Sequence, residues 1–118
     1  MKNLEKRRSR YLQDSPPIRL GGLAANLGRI ASFSKYADHL EVVDSVMQES
    51  KWFIEWTASE LEIQQAAELV RLQVQLALWQ LQSKNKWDDE RWRLELAADS
   101  KQWSDRLLEM SGLLTVSR

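Results

Sequence analysis

The chain has 118 residues and a mass of 13.8 kDa, with 43% hydrophobic and 29% charged residues, which suits one packed domain and is too little for two. It contains no cysteine, so thiol nucleophiles, disulfides, thiolate zinc sites and iron–sulfur clusters are excluded together, and no apolar run approaches the length of a membrane span. The net charge of zero hides a segregation: residues 1–37 carry eight basic groups against Glu5 and Asp14, a net of +6, and the remainder of the chain carries −6.

Most of the negative charge lies in residues 38–70, where Lys51 stands alone against eight carboxylates. Such asymmetry suits a basic arm that meets an anionic partner, or docking between oppositely charged ends. The opening MKNLEKRRSR is followed by YLQDSPP and not by an apolar stretch. It reads as neither a secretory nor a twin-arginine export signal, and a cytoplasmic location is expected.

Both prolines and Gly21, Gly22 and Gly28 lie before residue 29, and the fourth glycine is Gly112. Residues 29–111 therefore hold no helix breaker and are rich in Leu, Ala, Glu, Gln, Lys and Arg. No segment alternates as a strand would. The predicted fold is all-α: an antiparallel four-helix bundle over residues 16–118, preceded by a flexible or extended basic arm over residues 1–15.

The first predicted helix begins near Pro16, capped by Asp14 or Ser15. Leu20, Leu23, Leu27 and Ile30 share one face, and Gly21, Ala25 and Gly28 form a small-residue strip that lets another backbone come close. GGLAANLG lacks the spacing of a phosphate-binding loop. After a turn in SFSKYAD, the second helix runs from about Asp38 to Trp56 on a stripe of Leu40, Val43, Met47 and Ile54. Asp38 and Glu41 form a capping-box pattern there. TASELE then marks a break, although the stripes stay nearly in phase and one continuous helix is the alternative.

The third predicted helix, residues 59–83, has two apolar faces. Leu61, Leu69, Leu72, Leu76 and Trp79 lie on one, and Ile63, Val70, Val74, Ala77 and Leu81 lie nearly opposite. A helix of this kind is expected to be packed on both sides, as the central helix or shared with an oligomer interface. The fourth helix follows SKNK, with Asp88, Asp89 and Glu90 at its positive end and Gly112 as its stop. Trp92, Leu96, Trp103, Leu107, Met110 and Leu114 form a seam expected to lie against the third helix.

Six tryptophans are many for this length. Trp79, Trp92 and Trp103 sit on apolar stripes and read as core. Trp52, Trp56 and Trp87, with Leu94 and Leu108, lie off the main seams and are the candidate protein interface. Base stacking suits these tryptophans less, because Glu49, Glu55, Asp88 and Asp89 surround them. His39 is the only histidine and has no second nitrogen ligand to join it, so it reads as a surface residue at a helix start. Asp99 falls within an apolar stripe and reads as a carboxylate that snorkels to the seam edge or pairs with a lysine or arginine. No nucleophile and base can be assembled, so no catalytic residue, metal site or cofactor is expected. Lys6, Arg7, Arg8 and Arg10 are the candidate contacts to phosphate or another anion, without any helix-turn-helix, zinc or RNA-recognition signature beside them.

The segments MKNLEKRRSRYLQDSPPIRLGGLAANLGRIASFS, ESKWFIEWTA and LLEMSGLL together resemble a group of small uncharacterised cyanobacterial all-α proteins. That resemblance implies no activity, cofactor or site residue. The functional expectation is a non-catalytic helical interaction or scaffold protein that forms a homodimer and binds a protein partner. Nucleic-acid or anionic-surface binding through the basic arm is the alternative.

Overall fold

The structure, a computed structural model, describes residues 2–113. Among them are five α-helices and no strand: α1 Lys2–Leu12, α2 Pro16–Phe33, α3 Leu40–Thr57, α4 Ile63–Lys86 and α5 Glu90–Ser111. Short 3-10 turns at Ala37–His39 and Ala58–Glu60 flank α3. The all-helical expectation holds, but the described helices number five and not four. Leu114, assigned above to the last seam, lies outside the described residues.

The additional helix is the basic segment, which is α1 and not an extended arm. Its residues are good helix formers, and Leu4 and Tyr11 lie two turns apart on one face. The buried Tyr11 ring stacks on Phe53 of α3 at 4.1 Å. Its hydroxyl donates to the Arg19 carbonyl at 3.2 Å and accepts from the Thr57 hydroxyl at 3.1 Å. Arg19, itself buried, donates to the carbonyls of Asp14 and Leu12 and to the Glu60 carboxylate at 2.8 Å. A carbonyl that the end of α1 leaves without a helical partner is thereby satisfied. Tyr11 and Arg19 tie the carboxyl end of α1 to the rest of the chain.

Ser15 is the N-cap of α2, yet its side chain makes no capping bond. Pro16 and Pro17 occupy the first two helical positions and have no N–H to donate. Leu20, Leu23, Leu27 and Ile30 are buried as their spacing predicts. Beside them Gly21, Ala24, Gly28 and Ala31 repeat at intervals of three and four. The Ser104 hydroxyl of α5 donates to the Ala24 carbonyl at 2.8 Å, and a Cβ on Gly28 would stand 3.7 Å from that same hydroxyl. α5 brings its own small buried residues, Ala97, Ser100 and Ser104, to this approach. The long partner of α5 is therefore α2, which corrects the expectation that it lies along the third predicted helix.

That third helix, α4, is not central. Leu69, Leu72, Leu76 and Trp79 are buried, whereas Ile63, Val70, Val74 and Leu81 are exposed. α3 holds one flank through the Lys51–Gln80 hydrogen bond. α5 holds the other through Arg106 and Glu68 and through Gln65 and the Met110 carbonyl. With both flanks taken, the face opposite the core has no neighbour among the described residues. The central position belongs to α2, which is covered by α3 and α5.

The helix ends follow local chemistry. The break after Thr57 is present, but α4 begins at Ile63, after Leu61 and Glu62 take extended backbone, and no side chain caps it. α3 likewise starts at Leu40, after the 3-10 turn containing Asp38, without a side-chain cap. Asp89 does cap α5, accepting from the Arg91 and Trp92 amides. Gly112, at φ 74°, terminates that helix in the left-handed conformation that favours glycine.

Candidate functional site

Trp87 is buried, not exposed, and is removed from the interface candidates. It caps α4, and its indole N–H donates to the Ala37 carbonyl at 2.7 Å, joining the α4–α5 turn to the turn before α3. The Arg93 guanidinium sits over the Trp87 ring and donates to the Trp87 carbonyl. A lone tryptophan at a helix end is off-stripe in sequence but closes the base of the fold. Trp52 and Trp56 are half-buried and stacked with ring centroids 6.3 Å apart. Trp56 also meets Tyr11 and Phe53, so its inner edge is spent on docking α1.

Leu94 and Leu108 lie on the same helix, Leu94 exposed and Leu108 half-buried against the core. They line a shallow groove of about 670 Å³ between α2 and α5. Gly28, Ala31, Ala97 and Ala98 line it together with Lys35, Lys101 and Asp105. The groove exists because the small residues that allow α2 and α5 to approach also leave little side chain to fill the surface above them. Leu94 is 49% exposed there.

Lys6, Arg7, Arg8 and Arg10 are exposed on α1. Arg7 lies 3.6 Å from Glu49 of α3. The other oxygen of that carboxylate accepts from Asn26 at 3.1 Å, and Asn26 accepts in turn from Arg29. Arg7 is thus partly occupied by the protein itself, which distinguishes it from the other three.

The outer apolar face of α4 is legible as a stripe, and the expectation was that it would be covered. Ile63 is 86% exposed, Leu81 60% and Val74 56%, and Val70 and Leu78 are also open. All five lie on α4, on the side away from Leu72 and Leu76. The repeat of apolar residues was the signal, and only the position of the neighbouring helices shows that it remains open.

No protein-family model, curated protein or solved structure matches the chain.

The ionisable groups add little chemistry. Among the described residues no three His, Asp or Glu side chains converge as a metal site would require, and no helix is long and apolar enough to cross a membrane. His39 is half-exposed, edge-on to Phe33 and Tyr36. Asp99 is exposed in a cleft with Gln75, Trp103 and Arg106. Burial pushes the Tyr11 hydroxyl up to about 12, against the opposing effect of its bond with Thr57. The Arg19 hydrogen bond holds Glu60 below its ordinary carboxylate range. Both shifted groups belong to the α1–α2–α3 corner, where they fasten elements together.

Proposed function

We propose that this protein is a non-catalytic helical interaction or scaffold protein, with α2–α5 as an antiparallel four-helix bundle, that self-associates and binds a protein partner through exposed helical faces. The observation that carries this reading is the concentration of large exposed apolar residues on one side of α4. Scattered single leucines are ordinary on a surface, whereas a contiguous apolar patch of this kind marks an interaction site. The α2–α5 groove supplies a second face, with Leu94 and Leu108 as anchors and charged side chains for orientation. The test is affinity capture with the full chain. A protein partner should be retained after nuclease treatment and lost from the variant Leu94→Asp, whose side chain is exposed. Capture that disappears with nuclease overturns the reading.

The alternative retains a specific observation in its favour: Lys6, Arg8 and Arg10 are exposed on one helix. On this reading α1 contacts phosphates, and replacing these residues with alanine weakens binding uniformly across nucleic-acid sequences. Each lost contact lowers the salt dependence by roughly one unit of log–log slope on duplex DNA. A gel shift by the unmodified chain, lost in the triple variant, is its signature.

A further inference from the structure

We infer that the outer face of α4 is a coiled-coil seam for a second copy of this chain, with the two α4 helices antiparallel. The inference rests on the self-association proposed above and assigns it a surface, an orientation and a register. Ile63, Ala67, Val70, Val74, Ala77 and Leu81 follow one another at steps of four, three, four, three and four residues. That is the strict 3.5-residue repeat of a coiled coil, not the wider stripe of a core-facing helix. All six are exposed, whereas the core-facing Leu69, Leu72, Leu76 and Trp79 occupy other positions of the same heptads.

The row fits itself when reversed. About a two-fold axis near residue 72, Ile63 of one copy faces Leu81 of the other, Ala67 faces Ala77 and Val70 faces Val74. Large residues meet at the ends, small ones let the backbones approach between them, and every contact occurs twice, as two-fold symmetry requires. The seam from Ile63 to Leu81 is about 27 Å long at helical rise. Its large apolar residues leave on the order of 500 Å² open per copy, comparable to the largest patch of a monomer. Two copies would cover on the order of 1,000 Å², the level at which a specific interface begins.

Charge selects the orientation. Glu62 stands at the amino end of α4, next to Glu60, which Arg19 already holds, and Lys84 and Lys86 lie in its last turn. Antiparallel helices bring each acidic end to the partner's basic end and oppose the helix dipoles. Parallel helices would set like charges together at both ends. Arg71 is the one charge beside the seam near the axis, and Glu68 already holds it at 3.0 Å. Gln73 and Gln80, on the opposite flank, are hydrogen-bonded to α3.

Sedimentation velocity on the full chain at about 100 µM should give twice the 13.8 kDa chain mass, within reach of an interface of this size. Val74→Glu should raise the dissociation constant at least about 100-fold, because it places a carboxylate in an apolar contact, with the helical circular dichroism unchanged. Ile63→Cys and Leu81→Cys each add a lone thiol to a chain that has none. Oxidised separately, neither variant should cross-link, because equivalent positions lie about 27 Å apart along antiparallel helices. Mixed, they should form the 63–81 disulfide. A monomer mass for the unmodified chain, or a dimer unaffected by Val74→Glu, overturns the seam. A cross-link of Ile63→Cys with itself, or none in the mixture, overturns the register. Capture through Leu94 stands or falls separately, so failure here is distinguishable from failure of the interaction reading.

Discussion

Helices α2 and α4 both carry apolar or small residues on more than one side, yet they have opposite surroundings. The second side of α2 is Gly21, Ala24, Gly28 and Ala31, and α5 closes against it. The second side of α4 is Ile63, Val70, Val74 and Leu81, and nothing among the described residues closes against it. Small residues on a helix permit backbone approach and have little apolar surface to hide if left alone. Large residues have surface to hide, but whether they hide it depends on where the neighbouring helices end up. Width of the apolar face therefore identifies surface that burial would favour, and not which helix sits at the centre.

The sharpest way to break this comparison is to delete methylenes from each helix. Leu27→Ala in α2 removes a side chain with no exposure and should cost about 2–5 kcal/mol. Val74→Ala on the outer face of α4 should change the stability of the dilute monomer by no more than about 0.5 kcal/mol. Urea unfolding at low concentration measures both. Equal losses would mean that the outer face of α4 is packed within one chain.

Adding volume gives the next largest contrast. Ala24→Leu pushes extra carbons into the α2–α5 contact and should cost about 1–3 kcal/mol. Ala77→Leu, the same change on the open face of α4, should stay within about 0.5 kcal/mol in the monomer. Gly22→Ala tests where the close contact on α2 ends. A Cβ there meets nothing within 4 Å, so the variant should gain about 0.5–1 kcal/mol from helix propensity alone. A loss at this position would show that α2 is enclosed more tightly than the geometry allows.

The smallest effect concerns pH and the end of α2 that holds α1. Arg19 lowers the Glu60 pKa in the folded chain from its usual 4.5, so the folded state favours the ionised carboxyl. Its contribution is complete above the unfolded-state pKa and is lost as pH falls through the lower folded value. Glu60→Gln should therefore reduce stability at neutral pH slightly and flatten its decline in that acidic window. Thermal melts at a series of pH values check this, and parallel curves for the two proteins would exclude the ion pair as a source of acid sensitivity.

Periodicity and punctuation carried much of the helical reading. The absence of Pro and Gly between residues 29 and 111, the stop at Gly112 and the buried stripe of α2 were all readable one residue at a time, because helix propensity and side-chain spacing are local. Individual caps were less legible: Ser15 faces two prolines without donors, and the acid that caps α5 is Asp89 alone. The charge density of the basic segment suggests solvation, whereas Tyr11 and Arg19 dock its end as a helix.

Leu94, Leu108 and Trp87 all fall off the main seam in the sequence, yet Leu94 is exposed, Leu108 is half-buried against the core and Trp87 is buried. Its burial depends on the Ala37 carbonyl, fifty residues away in the chain. The same distinction separates the two faces of α4. Local sequence specifies that both are apolar, since spacing along one helix is a property of that helix. Which of them meets α3 and α5, and which is left open, is settled by the packing of elements far apart in the chain, and spacing within one helix contains no information about those partners.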